Sequence, residues 1–209
     1  MELSSNSLRA AVADLVARDA DLAGVVRRFG PPPMWGRRPG FASLVRIVLG
    51  QQVSLVSAAA AYRRLQGAAG RVTPSRVAAL GEERLRSAGL TRQKAVYCRS
   101  LATAIVAGRL DLSSLRGLPD AEVRSSLIAI PGIGPWTIDI YLLMALRRPD
   151  IWPTGDLALA RALQRVKRLR KVPGDRRMSA IARPWSPWRA VAARVLWHFY
   201  LSSKGGPIR

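Results

Sequence analysis

Three observations predict an all-α fold. Apolar residues recur at three- and four-residue spacing along nearly the whole chain. No stretch alternates polar and apolar with the period of two that a half-buried strand needs. Capping residues, prolines and glycines stand where the periodic segments begin and end.

Taken in order, Leu8, Val12, Leu15, Leu22, Val25, Val26 and Phe29 carry a first helical segment, which Gly30-Pro31-Pro32-Pro33 stops. Phe41, Leu44, Val45, Val48 and Leu49 form an i, i+3, i+4, i+7, i+8 stripe. Gly50-Gln51-Gln52-Val53-Ser54 interrupts it, and Ser54 is placed to cap a helix running to about Gln66. Thr73-Pro74-Ser75 reads as another start, with proline at the first helical position. Gly89-Leu90-Thr91 precedes a helix from about Arg92 to Ala107, whose apolar side holds Cys98 with Ala95, Ala102 and Ile105. That setting marks a core thiol, not a nucleophile. Pro119-Asp120 opens a helix that ends at Pro131-Gly132-Ile133-Gly134-Pro135, and a second begins near Thr137. A basic amphipathic stretch runs from Leu157 to about Lys171, and a final helix from about Pro187 to Leu201. The tail 202–209 reads as flexible, and no internal repeat or low-complexity segment is present.

The 209 residues suffice for one domain or two small lobes, and 49% apolar content fits a globular chain. The formal charge of +21 points to a polyanionic partner, because Lys and Arg release counterions from a phosphate backbone. No acid occurs from Leu22 through Gly81, a span holding nine Arg, and none occurs after Asp175. A single cysteine, Cys98, excludes an internal disulfide, a four-Cys zinc site and a four-Cys iron–sulfur cluster. No leader peptide and no membrane span is expected, which points to a cytoplasmic protein.

The glycine hairpin has a physical logic. Glycine permits positive φ and close backbone approach, and the helix that follows offers N–H groups that suit a phosphate. Such a contact positions a duplex without reading its sequence. Ile133 is expected to anchor the hairpin tip in the core. The same Pro-Gly-x-Gly pattern also serves ordinary helix–helix turns.

Leu127-Ile-Ala-Ile-Pro-Gly-Ile-Gly-Pro-Trp-Thr137, with Gly155-Asp156 downstream, resembles the helix-hairpin-helix (HhH-GPD) DNA glycosylase superfamily. Phe41-Ala-Ser-Leu-Val-Arg-Ile-Val-Leu-Gly-Gln-Gln-Val-Ser54, Gly89-Leu-Thr-Arg-Gln-Lys-Ala95 and Pro187-Trp-Arg-Ala-Val-Ala-Ala-Arg-Val-Leu-Trp197 resemble its alkyladenine branch, the 3-methyladenine DNA glycosylase II (AlkA-like) type. The likeness runs in collinear order from about Phe41 to Tyr200. It implies two all-α lobes with the active site in the cleft between them. One lobe is about 41–149, including the hairpin 127–146; the other is about 1–40 plus 150–209. It also implies the compact form, without the extra α/β domain of some members, working as a monomer.

The resemblance implies hydrolysis of the N-glycosidic bond of alkylated purines, of the 3-methyladenine and 7-methylguanine type, in double-stranded DNA during base excision repair. Asp156 takes the catalytic position. Cleavage builds positive charge on the deoxyribose, which a carboxylate stabilises while orienting the attacking water. The plain alternative, that Asp156 caps the helix from Leu157, is compatible with it. The base must leave the stack first. Trp136 and Trp197 fall at pocket-wall positions, with Tyr141 a weaker candidate beside Ile140, where some members have an aromatic; ordinary core packing is the alternative for each. Gln52 falls at the position of the residue that fills the gap in the duplex, supported by Gln51; a bonded helix-terminus amide is the alternative for Gln52. Gly132, Ile133, Gly134 and Thr137 are the hairpin phosphate contacts.

Lys94, Arg92 and the Arg161, Arg165, Lys167, Arg168 run are side-chain candidates for the same task, with a solvated face as the alternative. Where lyase relatives carry a Schiff-base lysine this chain has Trp136, which implies a monofunctional enzyme. No redox cofactor is expected; a monovalent cation at the hairpin carbonyls is compatible with the likeness. His198 reads as a packed residue, and Asp139 receives no role. Two other functions fit the same scaffold: a non-enzymatic DNA-binding or damage-sensing protein, and a glycosylase for deaminated or mismatched bases.

Overall fold

The structure, a computed structural model, describes residues 2–203. Among them are eleven α-helices and no strand, as the periodicity requires. They are α1 (Ser5–Arg18), α2 (Ala20–Phe29), α3 (Phe41–Gly50), α4 (Leu55–Ala69), α5 (Pro74–Ser87), α6 (Arg92–Val106), α7 (Asp120–Ile128), α8 (Pro135–Met144), α9 (Leu157–Val166), α10 (Asp175–Ala182) and α11 (Arg189–Ser202). The chain forms two compact units, Met1–Gly36 with Leu142–Arg209, and Arg37–Tyr141.

The first unit is built on α11, which packs against α1, α2 and α9. Every residue of α11 from Ala190 to His198 is buried, so this helix is apolar on all sides instead of striped. Arg194 is the exception in chemistry: it is fully buried, and donates to the carbonyls of Met34 (2.9 Å), Ala190 (3.1 Å) and Leu143 (2.9 Å). Burial first, and the charge of Arg147 second, bring its pKa down to about 10. Its fork ties the 34–36 loop and the end of α8 to α11, satisfying three backbone acceptors at once.

The first expected segment is two helices. Asp19 leaves the helical region (φ −138°, ψ 106°) and caps α2, accepting from the Asp21 and Leu22 N–H groups at 3.0 and 3.1 Å. The apolar stripe continues across the break, which is why its spacing conceals it. The Asp19 carboxylate also receives Lys167 Nζ (2.8 and 2.7 Å) and Trp185 Nε1 (2.8 Å), and Lys167 reaches Asp21 at 2.9 Å. The basic stretch after Asp156 accordingly ends sooner than expected, at Val166, with Lys167 turned inward as its C-cap. Helix α10, capped at Gly174, has no counterpart in the sequence reading. Ser202 closes α11, and the rest of the expected tail, 204–209, lies outside the described residues.

In the second unit α3, α4, α5 and α6 pack on one another. Ser54, Thr73 and Thr91 each accept the N–H three residues on, so the predicted Ser54 cap forms and the helix starts read at Thr73 and Thr91 are N-caps as well. Helix α4 runs three residues past Gln66, and α5 is broken by Gly81 (φ 72°, ψ 169°). Cys98 is fully buried and its thiol is pushed up to about 12, mainly by burial, which fits a core thiol.

Candidate functional site

The hairpin between α7 and α8 is a compact turn. Ile130 N–H donates to Leu127 O, Ile133 N–H to Ile130 O, and Ile138 N–H to Gly134 O, each at 3.1 Å. Ile133 is 3% exposed and anchors the tip as expected. Helix α8 begins at Pro135, two residues before the expected Thr137, because proline's missing N–H costs nothing in a first turn. Arg124 of α7 pairs with buried Asp139 of α8, clamping the two helices.

The two glycines of the hairpin answer different needs. Gly132 has φ +86°, and a Cβ there would stand 2.0 to 2.4 Å from the ring of Tyr97, so side-chain packing within the unit already demands glycine. A Cβ on Gly134 would meet nothing within 4 Å, so this glycine lies at open surface. Tyr97, which the sequence did not single out, is thus the floor under the hairpin; its hydroxyl accepts from Gln93 Nε2 at 2.7 Å.

Gln51 is the second brace. Its Nε2 donates to Gly132 O (2.9 Å) and to Thr137 Oγ1 (2.8 Å). The bonded helix-terminus amide considered for Gln52 is therefore Gln51. Gln52 itself is exposed and held at φ +58°, between the pinned Gln51 and the Ser54 cap. Such a conformation in a non-glycine residue persists where its surroundings over-determine it. Thr137, 1% exposed, is a buried acceptor, so its hydroxyl serves the hairpin's interior. Lys94 is half-buried and spends one donor on Leu49 O at 2.7 Å, closing the C-terminus of α3; burial lowers its pKa. Gln52, Gln93, Lys94, Tyr97, Gly132 and Gly134 border a concavity of ≈ 430 Å³.

In the first unit the structure brings Asp156 and Trp197 together. Asp156 caps α9: Oδ1 accepts the Leu159 N–H at 2.7 Å and the Trp197 indole N–H at 3.3 Å. The Gly155 N–H before it donates to Asp175 Oδ1 at 2.8 Å, fixing the turn from behind. Asp156 is half-buried while Trp197 is 8% exposed. Trp197 is therefore placed to orient the carboxylate, whatever face it also offers.

The remaining candidates separate. Trp136 lies half-exposed in the first turn of α8, in the second unit. Tyr141 is fully buried, and its hydroxyl accepts the Gly40 N–H at 3.0 Å, so it is a core clamp in this structure. Arg161 is exposed on α9, whereas Lys167 is consumed by Asp19 and Asp21. Arg92 is solvent-exposed, 3.8 Å from Glu82. His198 is packed as read, its Nε2 2.8 Å from Phe29 O and its ring edge-on to Trp35. Among the described residues no three His, Cys, Asp or Glu side chains gather as a metal site.

A family model described as HhH-GPD superfamily base excision DNA repair protein matches residues 45–187. The chain is 34% identical over 124 residues to the Bacillus subtilis protein YfjP, 59% of this chain and 43% of that one. It is 26% identical over 180 residues to DNA-3-methyladenine glycosylase 1 of Schizosaccharomyces pombe, covering 84% of this chain and 79% of the relative. A solved structure of a Schizosaccharomyces pombe 3-methyladenine DNA glycosylase in complex with abasic DNA superposes with a TM-score of 0.80 at 25% identity, over 93% of this chain and 97% of that one. The chain thus spans less than half the length of YfjP, 79% of the curated yeast relative and 97% of the chain in the solved yeast structure.

Proposed function

The chain belongs to the HhH-GPD superfamily of base excision DNA repair proteins, and from that membership we propose that it is a monofunctional DNA glycosylase that hydrolyses the N-glycosidic bond of alkylated purines in duplex DNA. The observation that carries the reading is Asp156: a carboxylate fixed through one oxygen by the Leu159 N–H and the Trp197 indole, in a strongly basic chain that has few acids to spare. A preorganised carboxylate stabilises the positive charge that grows on the deoxyribose as the C1′–N bond lengthens, and it orients the water that attacks C1′. An alkylated purine already bears positive charge, so the base departs neutral without a strong general acid.

The other parts follow from the resemblance and from where each side chain sits. The exposed Gln52 fills the gap left by the extruded nucleotide, and its positive φ lifts it off the end of α3. The open backbone at Gly134 receives a phosphate. Trp136 offers an indole face to the cationic base, and it also occupies the place of the lyase lysine. A Schiff base cannot form there, and the product is an intact abasic site.

The test is base release from methylated duplex DNA, with the freed purines separated by chromatography. Wild type is expected to release 3-methyladenine or 7-methylguanine without strand cleavage, and Asp156→Asn to be slower by about 10²–10³-fold, the size of effect seen when one preorganised electrostatic group is lost. Equal release by both proteins would remove Asp156 from the mechanism. Strand cleavage coupled to release would overturn the monofunctional assignment.

A further inference from the structure

We propose that Asp175 is a positioning residue for Asp156: by accepting the Gly155 N–H, it selects the turn conformation that sets the direction of the Asp156 carboxylate. What that direction serves rests on the function proposed above; the selection itself does not.

The side chain of Asp156 is tied at Oδ1 to the Leu159 N–H and the Trp197 indole N–H. Those two bonds can form only where the backbone delivers the carboxylate, and the residue before it is a glycine at φ +75°. Glycine populates positive and negative φ about equally readily. A Cβ on Gly155 would meet nothing within 4 Å, so packing around its α-carbon does not make the choice. At Gly132 the Tyr97 ring excludes a side chain; at Gly155 no such neighbour exists, and a hydrogen bond has to do the selecting. The Gly155 N–H supplies it, donating to Asp175 Oδ1 at 2.8 Å across twenty positions of chain.

Asp175 is well suited to this task and has been left free for it. It is the first residue of α10, which follows Gly174 and has no side-chain cap. A carboxylate in that place can serve the N–H groups of its own helix or pair with a cation. Arg176 and Arg177 adjoin it and are exposed, yet Asp175 forms no ion pair among the described residues. Its Oδ1 reaches the Asp156 turn instead. A hydrogen bond to an ionised acceptor is about twice as strong as one between neutral groups, which suits a bond that lies at the surface. Asp175 therefore acts on the backbone before Asp156, while Leu159 and Trp197 act on its side chain.

Asp175→Ala and Asp175→Asn test this on the full chain. Both remove the charge, but asparagine keeps an oxygen for the Gly155 N–H, so a difference between them belongs to the bond. Single-turnover release of methylated purines should be slower by about tenfold in the alanine variant, less than the roughly hundredfold that a misplacement of about 1 Å can cost. The asparagine variant should recover most of that rate, and both should bind an undamaged duplex as wild type does. In proton–nitrogen correlation spectra without DNA, the Trp197 indole resonance should move in the alanine variant and hold its place in the asparagine variant, because that indole is bonded to Asp156. An alanine variant with wild-type release overturns the proposal. So does an asparagine variant as slow as the alanine one, which would assign the effect to charge. Slower release with an unmoved Trp197 resonance overturns it as well. If wild type releases no purine, the repair reading fails, and the Trp197 resonance alone then decides whether Asp175 positions Asp156.

Discussion

Asp156 Oδ1 accepts both the Leu159 N–H and the Trp197 indole N–H, so its charge and its capping oxygen can be removed separately. Asparagine keeps an acceptor in the same place and caps a helix as well as aspartate does. Asp156→Asn should therefore leave the melting temperature within about 2 °C of wild type while base release collapses. Asp156→Ala should lose the cap as well, about 1 kcal/mol or roughly 2–4 °C in a chain of this size. If the asparagine variant melts as low as the alanine one, the carboxylate charge is structural and the division fails. Gln52 tests the opposite relation between stability and function. Its φ of +58° suits glycine, so Gln52→Gly relieves backbone strain on the order of 1 kcal/mol, offset in part by glycine's freedom in the unfolded chain. Thermal unfolding should show no loss of stability, while base release from methylated DNA should fall about tenfold because nothing fills the gap. A destabilised protein with normal release would mean that the side chain packs and does not probe DNA.

At the scale of the element, the hairpin is a three-part assembly: the turn, the Tyr97 ring beneath Gly132, and the Gln51 amide across to Gly132 O and Thr137 Oγ1. Gln51→Ala strips a partner from a backbone carbonyl and a buried hydroxyl, at a cost of about 1–3 kcal/mol. Native-state hydrogen exchange should then show faster exchange at Ile133 and Ile138 than at the core of α11. Uniform acceleration across both units would show that the amide contributes to global stability and not to the hairpin. How much of this was legible depended on chain separation. Ser54 and Asp156 were readable as caps, and Thr73 and Thr91 as helix starts, because a cap bonds three residues away. Gly132 was readable because a sharp turn needs it, but the reason it tolerates no Cβ, Tyr97, is 35 positions earlier, and no periodicity reports that. Lys167 looked like one more member of a basic face; its partners Asp19 and Asp21 lie 148 and 146 positions upstream. The break at Asp19 was hidden for the same reason: the apolar stripe runs across it, and only the tertiary partners of the carboxylate explain why the helix stops there.

For the whole molecule, the governing number is the imbalance of 34 Lys and Arg against 13 Asp and Glu. With so few acids, each one that is committed to a bond inside the protein matters. Burial pushes the Asp19 carboxyl up, but the bonds from Lys167, Trp185 and the Leu22 N–H outweigh it and hold it below the usual value; Asp150, likewise desolvated, is held low by Arg189 and Ser186. A carboxyl whose folded pKa is depressed contributes stability that is present above its unfolded pKa, about 3.9, and is lost as pH falls through the lower folded value. Burial lowers Lys167, but Asp19 and Asp21 outweigh it and raise its pKa, so its contribution is present below the ordinary lysine value and lost as pH rises past the higher folded one. Stability should thus be level from about pH 5 to 9 and fall steeply below 4, where neutralised acids also leave the basic residues to repel one another. Lys167→Met isolates the paired part. At pH 7 it leaves Asp19 and Asp21 without their cation, a loss of about 2 kcal/mol, discounted from the fully buried case because both partners keep some solvent contact. Once Asp19 is protonated in both proteins the loss has no cause. Urea unfolding at pH 7 and pH 2.5 should therefore show the gap between wild type and variant closing with acid. A gap of equal size at both pH values would mean that Lys167 stabilises through its ammonium over the Trp185 ring, and that the ion pair contributes nothing.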